Sequence, residues 1–323
     1  MRISLSVIAA CLLTSFAEQA GAADPYPSRP IRVVVPFVPG GVTDISLRNI
    51  MDHLTQRLGQ SVVIDNRPGA SGNIGAEQVA HSAPDGYTLL HALDGVMVIN
   101  PHLYSNTGFD TLRDFVPVTK LGDAGLIIVA NPSLPVKNLA DLIALAKSRP
   151  GELAFGSSGV GGTAEATCRL LFMTAGVELT SVNYKGGGAA VNDVLGNHIP
   201  LVCTTISSVK ELLKTGRLKG LGLSSAQRSP AAPDVPTFVE SGFPGLVVNS
   251  WVGLFAPKGT PDAVVRRLQK EVHAVLQMPD VRERYAELGI DPVGNEPEAF
   301  DRQVRADLAR WQEVVAKSGL RIQ

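Results

Sequence analysis

Three stretches of this sequence combine residue types that could hold an anion through the main chain. They read Pro36-Phe37-Val38-Pro39-Gly40-Gly41-Val42-Thr43-Asp44, Gly156-Ser157-Ser158-Gly159-Val160-Gly161-Gly162-Thr163 and Tyr184-Lys185-Gly186-Gly187-Gly188. Each follows a β-branched or aromatic run and opens a helical pattern. Glycine lets main-chain N–H groups turn toward a ligand with no Cβ in the way. A helix N-terminus adds unsatisfied donors and partial positive charge, so each turn can hold a carboxylate or phosphate. One such turn could serve only to reverse the chain, but three together favour a ligand.

Residue sets for other chemistries are incomplete. Gly159-x-Gly161-x-x-Ala164 follows a strand and matches the looser dinucleotide fingerprint. Its acidic partner would be Glu178, which stands before the next strand instead of at its end, where a ribose hydroxyl is read. No Gly-Lys dipeptide supplies a P-loop, and no Gly-x-Ser-x-Gly frames a nucleophile. The histidines (53, 81, 91, 102, 198 and 273) never occur three to five residues apart, and no cysteine pair has zinc-finger spacing. Binding without turnover, with no cofactor and no metal, is the expectation.

The elements that must position these turns follow from periodicity. Ile31-Val35, Val62-Ile64, Tyr87-Leu90, Leu126-Ala130, Leu153-Phe155, Thr180-Tyr184, Leu201-Thr204, Gly220-Leu223 and Val247-Leu254 read as strands. Helical spacing aligns Leu47, Ile50, Met51, Leu54 and Leu58, then Val264, Val265, Leu268, Val272 and Val275, and finally Phe300, Val304, Leu308, Trp311 and Val315. Thr260-Pro261 reads as a helix start, a capping hydroxyl followed by Pro. Such alternation predicts an α/β fold of mostly parallel sheets flanked by helices.

With 323 residues, 45% of them hydrophobic and 18% charged, the chain is long and apolar enough for two lobes. A net charge of -1 offers no basic surplus for nucleic acid. Residues 1–22 read as a cleavable signal peptide: Arg2, an apolar run from Ile3 to Phe16, then Ala20-Gly21-Ala22. The periplasm is the expected location. An alternative is lipoprotein processing at Cys11, after Ile8-Ala9-Ala10. The remaining cysteines, Cys168 and Cys203, read as two separately buried thiols, with pairing as the other possibility.

The chain resembles the extracytoplasmic receptors of tripartite tricarboxylate transporters, the Bug receptors, over nearly all of its expected mature length. The resemblance rests on the first turn, on Asn66-Arg67-Pro68-Gly69-Ala70-x-Gly72-x-Ile74-Gly75-Ala76, and on Pro84-Asp85-Gly86-Tyr87-Thr88-Leu89-Leu90. It continues in Ile99-Asn100-Pro101-x-Leu103-Tyr104, Tyr184-Lys185-Gly186, Pro233-Asp234-Val235-Pro236-Thr237 and Trp251-x-Gly253-x-x-Ala256-Pro257. It implies a two-lobed periplasmic-binding-protein fold of type II-like form, with a ligand cleft that closes between the lobes. Lobe I would comprise 23–124 plus 248–323, and lobe II 125–247. A carboxylate-bearing solute, the membrane subunits of such a transporter and a monomeric receptor are what the resemblance implies. Other readings are a binding protein that signals to a sensor and, from the Gly159 turn, a dinucleotide-dependent enzyme.

Carried over residue by residue, the resemblance points to Phe37, Gly40, Gly41, Val42, Thr43 and Asp44 in the first turn. In the second it points to Ser157, Ser158, Gly161, Gly162 and Thr163. Gly186, Gly187, Gly188, Ala189 and Thr204 are expected nearby. Asp44 is expected to organise the turn, because a carboxylate facing an anionic ligand would cost affinity. Departures from the family pattern are His91-Ala92-Leu93-Asp94-Gly95-Val96, where a small hydroxyl-rich loop is usual, Gly162 where a serine is common, and Glu165 with Arg169 on the helix that follows the second turn. Asp94 is expected either to accept a hydrogen bond from the ligand or to point into solvent. Glu165 and Arg169 are expected to form a solvated i,i+4 ion pair.

Overall fold

The computed structural model describes residues 26–157, 162–184 and 187–318. The expected leader, with Cys11, lies outside them, as do Ser158, Gly159, Gly161, Lys185 and Gly186. The chain runs β1 (Ile31–Val35), α1 (Val42–Leu58), β2 (Val62–Asn66), α2 (Asn73–Ala80) and β3 (Thr88–Leu93). Two short helices, α3 (Asn100–Leu103) and α4 (Thr111–Asp114), lead into β4 (Phe115–Ala130). Then come α5 (Leu139–Ser148), β5 (Ala154–Ser157), α6 (Thr163–Thr174), β6 (Thr180–Asn183), α7 (Gly187–Leu195), β7 (Leu201–Thr205), α8 (Lys210–Lys214) and β8 (Lys219–Leu223). The return is β9 (Asn249–Pro257), α9 (Asp262–Leu276), α10 (Pro279–Glu287), β10 (Ile290–Pro292) and α11 (Pro297–Ser318).

Side-chain alternation explains why helices cover both faces of the sheet. In β1, Ile31, Val33 and Val35 enter one core while Val34 enters another. In β4, Leu126, Ile128 and Ala130 face one core of the second lobe, and Ile127 and Val129 face the other. A strand buried on both sides reads as an unbroken apolar run, as these do. Helix α1 closes the first core with Leu47, Ile50, Leu54 and Leu58, its expected stripe.

Strand order is β2-β1-β3-β9-β4-β7-β5-β6, with β8 and β10 also pairing with β4. The outer pairs β1–β2, β1–β3, β5–β6 and β5–β7 are parallel. The strands at the centre, β3–β9, β4–β9, β4–β7, β4–β8 and β4–β10, are antiparallel, so the sheet is mixed. Strand β4 carries the chain from one lobe to the other. Its residues Phe115 to Gly125 pair with β9, and from Leu126 onward it pairs with β7 and β8.

Two local expectations are corrected. The strand expected at Leu126-Ala130 begins at Phe115: Thr119, Lys120, Gly122 and Asp123 interrupt the apolar run, yet they stay paired with β9 across register shifts between Pro117 and Thr119 and between Lys120 and Gly122. Thr260 does not cap α9: its hydroxyl donates to the Pro257 carbonyl at 2.8 Å, and the helix starts at Asp262. Cys168 and Cys203 are both free and buried in one core. Burial first, and then the neighbouring Cys203, hold the Cys168 thiol protonated.

Behind the crossing strands, Trp251, Phe255 and Phe300 form an aromatic cluster with centroids 5.1 to 6.1 Å apart. Phe300 reaches so close to β9 that a Cβ on Gly253 would lie 2.4 Å from its ring. Phe300 is fully buried, so Phe300→Ala is expected to cost about 3–5 kcal/mol of stability. Urea unfolding measures this; a midpoint unchanged from wild type would contradict the packing described.

Candidate functional site

Between the lobes lies a cleft of about 460 Å³, lined by residues of both and by the crossing strands β4 and β9. Three helices present their N-termini to it: α1 through Val42, α6 through Gly162, Thr163 and Ala164, and α7 through Gly187. Helices α1 and α6 start after Gly41 and Gly162, both in extended conformation (ψ 165° and 152°), and neither carries a side-chain cap. Their first-turn N–H groups therefore keep no capping partner and face a space that a ligand can enter. Such donors, with the helix dipole behind them, suit a carboxylate.

The first turn is shaped by Asp44. Its carboxylate accepts from the Gly40 N–H at 3.0 Å, from Arg48 at 2.7 and 3.0 Å, and from Asn66 at 3.1 Å. Burial alone would raise this carboxyl; the hydrogen bonds from Arg48, Gly40 and Asn66 outweigh it and hold the group at about 2. Asp44 is thus ionised, neutralised by Arg48 and directed into the turn, as its expected organising role requires. Gly40 takes a positive φ of 87°, which presents its N–H to Asp44.

Asp94 is neither solvent-exposed nor among the residues that line the cleft. Only 2% exposed, it accepts the hydroxyls of Thr163 and Ser250 on one oxygen, both at 2.9 Å. It therefore ties the first residue of α6 in one lobe to β3 of the other and to β9. Burial drives its carboxyl up to about 7, against the lowering effect of the Thr163 and Ser250 hydrogen bonds. Glu165 and Arg169 do pair, at 2.9 and 3.0 Å, but not in solvent. Glu165 is 1% exposed and also accepts from Ser181 at 2.8 Å.

Of the expected site residues, Val42, Gly162, Thr163, Gly187 and Thr204 line the cleft together. Thr204 is 3% exposed and stands on β7 beside Thr205. Gly41 and Thr43 flank Val42 at the start of α1. Phe37 packs its ring beside Gly72 and gives its carbonyl to Asn66 at 3.0 Å, so it supports the turn from behind. Ser157 is buried and donates to Asn183 at 2.6 Å, joining the ends of β5 and β6. Gly188 and Ala189 are exposed and do not line the cleft. The sequence reading missed Ile45, Leu93, Thr205, Ser207, Ser208, Ser250, Leu288 and Ile290. Only Ile45, one turn beyond Val42 on the same helix, carried a usable local signal.

The elevated Asp94 value sets a pH dependence. A carboxyl raised above its ordinary 3.8 favours the folded state in its neutral form. That stability is full below pH 3.8 and is lost as pH rises through about 7. Asp94→Asn stays neutral and can still accept both hydroxyls. It is expected to match wild type near pH 4 and to exceed it by about 2–4 kcal/mol at pH 8. Denaturation curves at the two pH values decide; a variant equal to or weaker than wild type at pH 8 would refute the buried-charge account.

The model of the tripartite tricarboxylate transporter family receptor matches residues 46–320. The Bordetella pertussis protein BugT is 36% identical over 319 residues, 98% of each chain. A solved Rhodopseudomonas palustris protein, Rpa4515 with adipate, is 37% identical with a TM-score of 0.80 over 92% of this chain and 99% of its own. MatC from Rhodopseudomonas palustris with bound malate is 34% identical with a TM-score of 0.77 over 90% of this chain and all of its own. The family model over residues 46–320, the 36% identity to BugT and a fold shared with these solved proteins over nine-tenths of the chain place it in the family of tripartite tricarboxylate transporter receptors.

Proposed function

We propose that this chain is a periplasmic, monomeric receptor that captures a carboxylate-bearing solute between its lobes and delivers it to the membrane subunits of a tripartite tricarboxylate-type transporter. One observation carries the reading: the uncapped N-termini of α1 and α6, from opposite lobes, face the same cleft. A carboxylate placed there gains donors from both sides only when the lobes are together, so the ligand stabilises the closed form. Relatives of matching fold carry adipate and malate, acids of the class such donors suit. Lobe I is taken as 23–124 with 248–323, and lobe II as 125–247, because β4 exchanges β9 for β7 beside Gly125. No helix among the described residues is long and apolar enough to cross a membrane.

The carboxylate contacts are assigned to main-chain N–H groups of Val42, Thr43, Thr163 and Ala164, with the Thr204 hydroxyl beside them. Val42→Pro tests this directly. The preceding Gly41 is already extended, as a residue before proline must be, and proline is tolerated at the first helical position. The variant deletes one donor while keeping the helix. It is expected to retain its melting temperature in the absence of ligand and to lose about tenfold in carboxylate affinity by calorimetry, as befits a hydrogen bond to a charged group. Undiminished affinity would remove the α1 amide from the site.

A further inference from the structure

The cleft has two chemically different ends. Ala124 of β4 pairs with Ser250 of β9 on one side and with Ile290 of β10 on the other. Adjacent strands lie about 4.8 Å apart, so the two ends are separated by roughly 10 Å. On the β9 side stand Ser250, Thr163 and the start of α6. On the β10 side stand Thr205, Ser207 and Ser208, with the turn between α10 and β10 across from them. That turn approaches closely: Gly289, at φ 65°, would place a Cβ 2.5 Å from Ser207.

Between the ends the walls are apolar, formed by Ile45, Leu93, Leu126 and Val252, and Leu288 and Ile290 carry the apolar lining into the β10 end. At the β10 end the Thr205 hydroxyl lies 3.0 Å from that of Ser207 and 2.8 Å from that of Ser208. These three hydroxyls can donate or accept but carry no charge. Among the described residues that line the cleft, the one ionisable side chain is Glu287, at this same end. Of the described basic groups nearby, Lys120 is held by both oxygens of Asp123 at 2.8 and 3.0 Å, and Lys210, outside the lining, donates to the Glu287 carbonyl at 3.3 Å. Behind the opposite end lies the buried Asp94. A second carboxylate on the ligand would sit among uncharged hydroxyls and apolar walls, beside an acidic side chain and with no cationic side chain among the described lining residues. A neutral hydroxyl or amide in the same place meets none of those penalties.

We infer that the ligand carries a single carboxylate, held at the helix N-termini, an apolar body along the middle of the cleft, and an uncharged hydrogen-bonding group at Thr205, Ser207 and Ser208. This rests on the carboxylate reading above and narrows it: a simple di- or tricarboxylate is the wrong ligand for this chain.

Two matched series test the inference by calorimetry at pH 8, on protein refolded to strip endogenous ligand. One compares hexanoate, 6-hydroxyhexanoate and adipate; the other compares phenylacetate, 4-hydroxyphenylacetate and 4-carboxyphenylacetate. In at least one series the hydroxyl-ended acid is expected to bind at least tenfold more tightly than the diacid, and in neither is the diacid the stronger. Thr205→Val, which keeps the side-chain shape, is expected to weaken the hydroxyl-ended acid of that series about fivefold and its unsubstituted parent less than twofold. A diacid that binds as tightly as its hydroxyl-ended counterpart in both series, or more tightly in either, overturns the inference and leaves the carboxylate reading standing. Equal losses of both monoacids in Thr205→Val overturn the placement of the neutral end. No binding by any of the six acids at millimolar concentration overturns both readings together.

Discussion

Unpaired main-chain N–H groups are the constraint around which this molecule is arranged. An amide shut away from water without a partner costs about 1–3 kcal/mol, and α1 and α6 each begin without a capping side chain. The fold keeps these groups at a cleft where water or an anion can reach them. Everything else at the site protects that arrangement. Asp44 absorbs the Gly40 amide so that the turn holds its shape. Arg48 neutralises Asp44, so the turn adds no negative charge where an anion would dock.

The lobes are joined in a way that makes the cleft depend on both. Strand β4 is one continuous strand whose first half pairs with β9 and whose second half pairs with β7 and β8. Asp94 adds a lateral tie from β3 to α6 and β9 at the base of the cleft. Burial of this carboxyl favours its neutral form where the tie is made. An anion at the start of α6 would lie just beyond Thr163, so ligand charge and Asp94 charge oppose each other.

Much of the architecture was legible because apolar periodicity reports burial directly. The strands around Ile31-Val35 and Leu201-Thr204, and the helical stripes of α1, α9 and α11, follow from local pattern alone. The first half of β4 was not legible, since a strand that carries Lys120, Gly122 and Asp123 is stable only through its partners β9 and β10. Thr260 failed for a related reason: a hydroxyl before a helix can cap it or can close the preceding turn, and only the chain path selects.

By itself the sequence determined the α/β alternation of short apolar strands and striped helices and the glycine-lined turns before three of those helices, in a chain long enough for two lobes. Glycine frequency, side-chain period and motif spacing are local quantities, and they survive without knowledge of the fold. Tertiary structure alone decided which turns face one another, that Phe37 and Ser157 support the site from behind, and that Asp94 is a buried inter-lobe acceptor. It also decided that Thr205, Ser207 and Ser208 confront Leu288 and Ile290 across the cleft, residues 80 or so positions apart in the chain. Such pairings depend on where β4 crosses between lobes, and no local pattern of residues encodes that distance.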